Sequence, residues 1–235
     1  MNKLIALFTG GKESVYSILR AKALGYEIER LLFLERAGFS VHKTNLSAVN
    51  TVAEMLGHGL TVIRTSSNFE DDERLIAYLR ESGEKGVDGL LTGNVKLEER
   101  SRIHEELCEK AGLKLIEPLR GLDTVELMME YSKIGLRFTI IGIRDERLDV
   151  KWLGTTISKQ NIEEFLTDVL SSGIDPCGEY GEYHSIVTGL KHLGTRLEYC
   201  LTTIKEEDKI KYVILQNPRI IKAPIHEKSC RENSL

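Results

Sequence analysis

The sequence is poor in the features that staple, anchor or strongly charge a chain. Its 235 residues include four cysteines (Cys108, Cys177, Cys200 and Cys230), widely spaced and without a CxxC pair. That spacing speaks against a zinc or iron–sulfur centre and against a disulfide scaffold. No apolar run approaches the roughly 20 residues needed to cross a bilayer. The apolar stretch Leu4 to Phe8 is too short for a secretory leader and runs straight into glycine and charge. A cytoplasmic protein with no membrane partner is therefore expected. Excess positive charge is missing as well. Thirty-two Lys and Arg stand against 36 Asp and Glu, a net charge of −4, which gives no support to broad nucleic-acid binding. Internal repeats and low-complexity segments are absent. A hydrophobic content of 41% and a charged content of 29% remain, the proportions of an ordinary soluble globular protein. The length suits one large or two smaller domains.

What is present begins at the N-terminus. The run Lys3 to Phe8 has the length of a strand, and Thr9-Gly10-Gly11-Lys12-Glu13-Ser14 follows, opening a helical pattern from Val15 to Leu24. Strand, glycine turn and helix N-terminus together form a place for a phosphate. Glycine lets backbone N–H groups turn toward an anion, and the first helical turn supplies unpaired donors and the positive end of the helix dipole. Lys12 can add a charge and Ser14 a hydroxyl. The spacing is not that of a Walker A loop, which needs four residues between its first glycine and its Gly-Lys pair.

Strands are predicted at 27–34, 60–64, 87–91 and 113–117, with helices opening at Thr44 or Asn45 and spanning 71–85 and 98–111. Five strands alternating with helices in about 120 residues imply a parallel sheet covered on both faces. Ligands of such sheets sit beyond the carboxyl ends of the strands. Three polar segments fall there: 9–14, the loop 35–43 containing His42, and 92–102 containing Gly93 and Asn94. The alternation stops near Leu119 to Asp123, which divides the chain into an expected phosphate-binding domain, 1–121, and a smaller α+β domain, 122–235.

The second half is expected to hold a helix capped by Asp123, a strand at 136–144 and a helix opening at Ser158. A final antiparallel pair is expected from 196–204 and 210–216 about a charged turn at 205–209, with a partly disordered tail from Asn217. Trp152 is expected to pack between the domains. The segment Asp175-Pro-Cys-Gly-Glu-Tyr-Gly-Glu-Tyr-His184 cannot form a regular helix, because Pro176, Gly178 and Gly181 interrupt it. It is a shaped loop carrying Glu179, Glu182 and His184.

The motif at 9–14 resembles the S-G-G-K-D-S loop of the ATP pyrophosphatases, with Thr9 in place of serine and Glu13 in place of aspartate. As a whole the chain resembles the diphthine–ammonia ligase (diphthamide synthase) family. The matching motifs are Thr9 to Ser14, His42-x-x-Asn45, Gly93-Asn94-Val95, Glu105-x-x-Cys108, Pro118-Leu119, Leu148-Asp149 with Trp152-Leu153-Gly154, and Cys177-Gly178-Glu179-x-Gly181-Glu182-Tyr183-His184. The last is the most specific. The resemblance implies an adenine nucleotide alpha hydrolase fold of Rossmann-like type, followed by a domain that presents a protein substrate. It implies that ATP adenylates the diphthine carboxylate of translation elongation factor 2 and that ammonium, as ammonia, displaces AMP. Thr9, Gly10, Gly11, Lys12, Ser14, His42, Gly93 and Asn94 would bind ATP. Lys12, Glu13, Glu179 and Glu182 would carry the chemistry, and Gly178, Glu179, Gly181, Glu182, Tyr183 and His184 would meet the substrate. Mg2+ would sit on the phosphates and on Glu13. Tyr180 or Tyr183 could face the trimethylammonio group, Arg100 and Arg102 could reach phosphate, and Cys177 would be structural. An enzyme acting on tRNA and a nucleotide-binding protein without turnover are the other readings, and a homo-oligomer stays open.

Overall fold

The computed structural model describes residues 2–66 and 68–222. Five strands, β1 (Lys3–Leu7), β2 (Glu27–Arg36), β3 (Leu60–Thr65), β4 (Val87–Leu91) and β5 (Lys114–Ile116), form a sheet of order β3-β2-β1-β4-β5. Every pairing in it is parallel. The crossovers are α1 (Lys12–Ala23), α2 (Val41–Thr44) with α3 (Leu46–Met55), α4 (Glu73–Glu84) and α5 (Glu98–Ala111). The order reverses at β1, whose neighbours are β2 and β4, and a ligand-binding crevice opens at such a switch point. The expected α/β, parallel-sheet fold is therefore present.

The second half supplies α6 (Thr124–Lys133), β6 (Leu136–Ile143), β7 (Thr156–Ile157), α7 (Ile162–Ser171), β8 (Tyr183–Leu190), β9 (Thr195–Leu201), β10 (Lys205–Glu207), β11 (Ile210–Tyr212) and β12 (Leu215–Lys222). Its strands form an antiparallel sheet in the order β10-β11-β6-β8-β9-β12, with β7 also on β6. Asp123 caps α6 as expected, accepting from the N–H groups of Val125 and Glu126 at 2.8 and 3.0 Å.

Several local expectations fail for identifiable reasons. Of the expected pair of 196–204 with 210–216 only the end forms, Leu215 and Gln216 lying against Leu201 and Cys200, while 210–212 does not pair with 195–201. Asp208 and Lys209 both have positive φ, so they make a two-residue hairpin turn that folds β11 back onto β10. Ile210 and Tyr212 are buried beside β6, and β9 pairs instead with β12. The tail from Asn217 is strand to Lys222, and the rest of it lies outside the described residues. Ser158 precedes a turn rather than opening the helix, because Asn161 Oδ1 accepts its backbone N–H and Asn161 Nδ2 reaches Thr156 O. The loop expected at 35–43 contains the start of α2, capped by Ser40. Trp152 does not bridge the halves. Its Nε1 donates to Asp168 at 3.0 Å and its ring meets Phe165 edge-on, so it fastens α7 within the second half.

The two sheets share a core. One apolar cluster joins Val15, Ile18, Val49 and Val52 of α1 and α3 to Ile140, Ile186 and Val187 of β6 and β8. Polar bonds reinforce this seam. Asn45 Nδ2 donates to Val213 O at 3.0 Å and its Oδ1 accepts from Leu215 N at 2.9 Å. The Val187 N–H donates to Gly10 O at 2.8 Å. The phosphate-type loop is thus hydrogen-bonded to a strand of the second sheet.

Candidate active site

A cleft of 670 Å³ opens over the carboxyl ends of the parallel strands. It is lined from the first half by Thr9, Gly11, Lys12, Glu13, Ser14, His42, Gly93, Asn94 and Arg100, and from the second by Cys177, Gly178, Glu179, Gly181, Tyr183 and His184. Apolar side chains of Phe8, Phe33, Leu34 and Phe69 line it as well. Of the expected site residues, Gly10 and Glu182 do not line the cleft, and neither do Tyr180 and Arg102.

The turn after β1 is held by its own polar groups. Gly10 has φ of 72°, a region glycine enters without a steric cost. Ser14 Oγ donates to Gly11 O at 2.9 Å, and Gly11 N donates to Thr9 Oγ1 at 3.3 Å. Gly93 packs onto the first turn of α1. A Cβ there would stand 2.8 Å from Glu13 C and 2.9 Å from Ser14 N, so the strand exit and the helix N-terminus touch through backbone alone.

Lys12 is not an open arm in the cleft. It is 1% exposed, and its Nζ donates to Cys177 O at 2.8 Å. The ammonium lies 4.5 Å from the Tyr183 ring centre and 2.8 Å from Glu13 Oε1, an ion pair without hydrogen-bond alignment. Lys12 therefore ties the phosphate-type loop to the loop 175–184. Tyr183 completes the tie by donating its hydroxyl to Pro176 O at 2.5 Å.

The loop 175–184 is braced by carboxylates. Asp175 Oδ1 accepts from Cys177 N at 2.9 Å, and its Oδ2 accepts from Lys96 Nζ at 2.9 Å. Glu182 uses both oxygens on its own loop, accepting from Tyr180 N at 2.9 Å and from Asp175 N at 3.4 Å. Glu182 does not line the cleft, and each of its oxygens accepts from a backbone N–H of its own loop, so it braces that loop. Tyr180 is 67% exposed. Glu179 alone among these faces the cleft, its Oε2 held by Val95 N at 3.2 Å and Lys96 N at 3.3 Å. Burial, and then the nearby charge of Glu13, push its pKa up to about 7.

Burial pushes the pKa of His42 down to about 4 and that of His184 to about 3, the latter also through His42 itself. The rings meet edge-on at 5.5 Å. Both are neutral at pH 7, and His42 Nδ1 is buried without a partner. Burial raises the Cys177 thiol well above its ordinary pKa, as suits a structural cysteine.

The strand exits hold a polar network that spacing alone does not reveal. Glu117 accepts from Thr92 Oγ1 at 2.8 Å and from Ser101 Oγ at 2.6 Å. Burial by itself would raise its pKa, but the adjacent His104 ring and these hydroxyls override that and hold it at about 2. Asn94 Nδ2 donates to Ser101 Oγ at 2.6 Å and to Leu97 O at 3.0 Å. The helical pattern of 98–111 puts Ser101 and His104 three residues apart on one face, the only trace of this network in the sequence. Among the described residues, no group of three or more His, Cys, Asp or Glu is placed to hold a metal ion, and no helix is long and apolar enough to cross a membrane.

The diphthamide synthase N-terminal domain profile matches residues 2–115, and the C-terminal domain profile matches residues 123–214. The diphthine–ammonia ligase of Homo sapiens is 26% identical over 211 residues, covering 78% of this chain and 77% of that protein. That of Danio rerio is 25% identical over 210 residues, covering 78% and 80%. That of Schizosaccharomyces pombe is 24% identical over 208 residues, covering 79% of this chain and 34% of that protein. Among solved structures, the U34-tRNA thiolase NcsA from Methanococcus maripaludis, with its [4Fe-4S] cluster, aligns with a TM-score of 0.39 at 15% identity over 56% of this chain and 57% of that chain. Two successive domain profiles in the expected order, together with a cleft built from both halves, place this chain in the diphthamide synthase family, as a ligase.

Proposed function

We propose that the protein adenylates the diphthine carboxylate of translation elongation factor 2 with ATP and then replaces AMP with ammonia, giving diphthamide and releasing AMP and diphosphate. The observation that supports this best is the convergence, on one cleft, of the glycine turn 9–14 and of Glu179 from the loop 175–184. A carboxylate is a poor electrophile, and its adenylate carries a good leaving group. The chain's part is then to position the two substrates and neutralise charge. The helix start at Lys12 offers N–H donors to phosphate. The neutral His42 and His184 line the same cleft without adding charge.

Mg2+ is implied by the chemistry of ATP. Such ions take one or two carboxylates together with phosphate oxygens and water. Glu13, which lines the cleft and keeps 18% of its side-chain exposure beyond the oxygen that faces Lys12, would be the single protein carboxylate. When bound, the ion would neutralise phosphate charge. We further propose that residues 1–121 bind the nucleotide, that 122–235 present the protein substrate, and that the protein is cytoplasmic.

The test is diphosphate and AMP release with ATP, ammonium and diphthine-bearing elongation factor. Release that needs both ammonium and the factor supports the reading. Release that needs tRNA instead, or ATP binding with no release, refutes it.

A further inference from the structure

Asn94 is 5% exposed, lines the cleft, and has a buried Oδ1 without any hydrogen-bond partner. Its orientation is fixed by chemistry. Leu97 O can only accept, so the Asn94 atom 3.0 Å from it is the amide nitrogen. Ser101 Oγ gives its one proton to the ionised Glu117 at 2.6 Å, so toward Asn94 it too can only accept. Glu117 and Ser101 thus turn the amide until its oxygen, a pure acceptor, is left for something else. An unmatched buried acceptor is costly, and it marks a place where a donor arrives.

A second acceptor lines the same cleft. Val95 and Lys96, the two residues after Asn94, hold Glu179 by Oε2, and among the described residues no hydrogen bond engages its Oε1. Lys12 and Glu13 cancel as a pair, and a cation arriving beside Glu179 would favour its ionised form. A neutral amide oxygen and a carboxylate oxygen together suit a monovalent cation that carries N–H donors. A trimethylated nitrogen has no N–H to give, and a nucleobase amino group carries no charge.

We infer that Asn94 Oδ1 and Glu179 Oε1 form the binding site for the ammonium co-substrate, with Ser101 and Glu117 as positioning residues that aim Asn94. This rests on the reading of the protein as an ammonia-using ligase. The site holds ammonium beside the phosphate-type loop, where the acyl group of the adenylate forms. Loss of a proton frees the nitrogen lone pair. It bonds to the acyl carbon, the bond from that carbon to the AMP oxygen breaks, AMP leaves with the electron pair, and a second proton goes to solvent.

The experiment measures amide formation by mass spectrometry in ammonium and MgATP titrations of the full chain, comparing Asn94→Ala, Ser101→Ala and Ser101→Thr. Losing a buried hydrogen bond to a charged donor should raise KM for ammonium about ten- to a hundredfold in Asn94→Ala. Ser101→Ala should do the same to a lesser degree, Ser101→Thr should restore it, and KM for MgATP should move far less. A parallel rise in KM for MgATP, an unmoved KM for ammonium, or failure of threonine to rescue would overturn the inference. Should Asn94→Ala not fold, the Ser101 pair decides alone. A wild-type protein that forms no amide from ammonium refutes the proposed function itself, a result visible before any variant is made.

Discussion

Replacing Lys12 by methionine tests the central tie of the site. The sequence suggests a side chain that reaches for phosphate. In the structure the same side chain is 1% exposed and joins the two halves of the molecule. Methionine keeps most of the volume beside Tyr183 and Phe138, so packing changes little. What is lost is the charge. At 2.8 Å from Glu13 and an effective dielectric of about 20, the attraction is roughly 6 kcal/mol. Desolvation of the ammonium offsets part of it, and Glu13, whose side chain keeps 18% of its exposure, can recruit water. The hydrogen bond to Cys177 O adds about 1.5–3 kcal/mol. A net loss of about 3 kcal/mol is expected, which for a chain of this size lowers Tm by roughly 6–12 °C. Thermal unfolding followed by circular dichroism measures it. The double variant Lys12→Met/Glu13→Gln should recover much of the loss, since no unpaired carboxylate then remains. A Lys12→Met protein melting within about 2 °C of wild type, or a double variant no better than the single, would refute the account of Lys12 as a structural tie.

Three further outcomes follow from particular residues. Glu179 titrates at about 7 against an ordinary 4.5, so between those values the folded protein keeps a proton that the unfolded chain has lost. Ionising it costs stability as pH rises through that window. Glu179→Gln should therefore melt above wild type at pH 8, with the gap closing toward pH 4.5, and a gap that widens on acidification would contradict the assignment. Gly93→Ala places a Cβ 2.8 Å from Glu13 backbone, so calorimetry should find ATP binding lost or severely weakened; wild-type affinity would show that the two loops can part freely. Asn45→Ala removes the bonds to Val213 and Leu215, and limited proteolysis should then cut the 202–214 region faster, an unchanged pattern arguing that apolar packing alone holds the seam.

Much of the first half was legible because its signals are local. Strand β4 and helix α5 fall on their expected bounds, and Gly112, with positive φ, ends α5. The second half was less legible because its sheet joins distant segments. Whether 210–212 pairs with 195–201 or with 136–143 is decided by the two-residue turn at Asp208-Lys209 and by which strand edge is free, and neither is a property of the segment itself. The site divided in the same way. Glu179 and Glu182 look alike in sequence, three residues apart in one glycine-rich loop. Only the fold turns Glu179 toward Val95 and Lys96 while Glu182 is consumed by the N–H groups of Asp175 and Tyr180.

By itself the sequence determined the parallel-sheet fold, the glycine turn at its first strand exit, and a shaped, non-helical loop at 175–184. Periodicity, glycine placement and motif spacing are short-range features that a chain carries whether folded or not. Tertiary structure alone decided what Lys12 and Asn94 do. A lysine's destination depends on which acceptors surround it, and here Cys177 O, 165 residues away, claims it. An amide's free face depends on its other partners, and here Ser101 and Glu117 leave only the oxygen open.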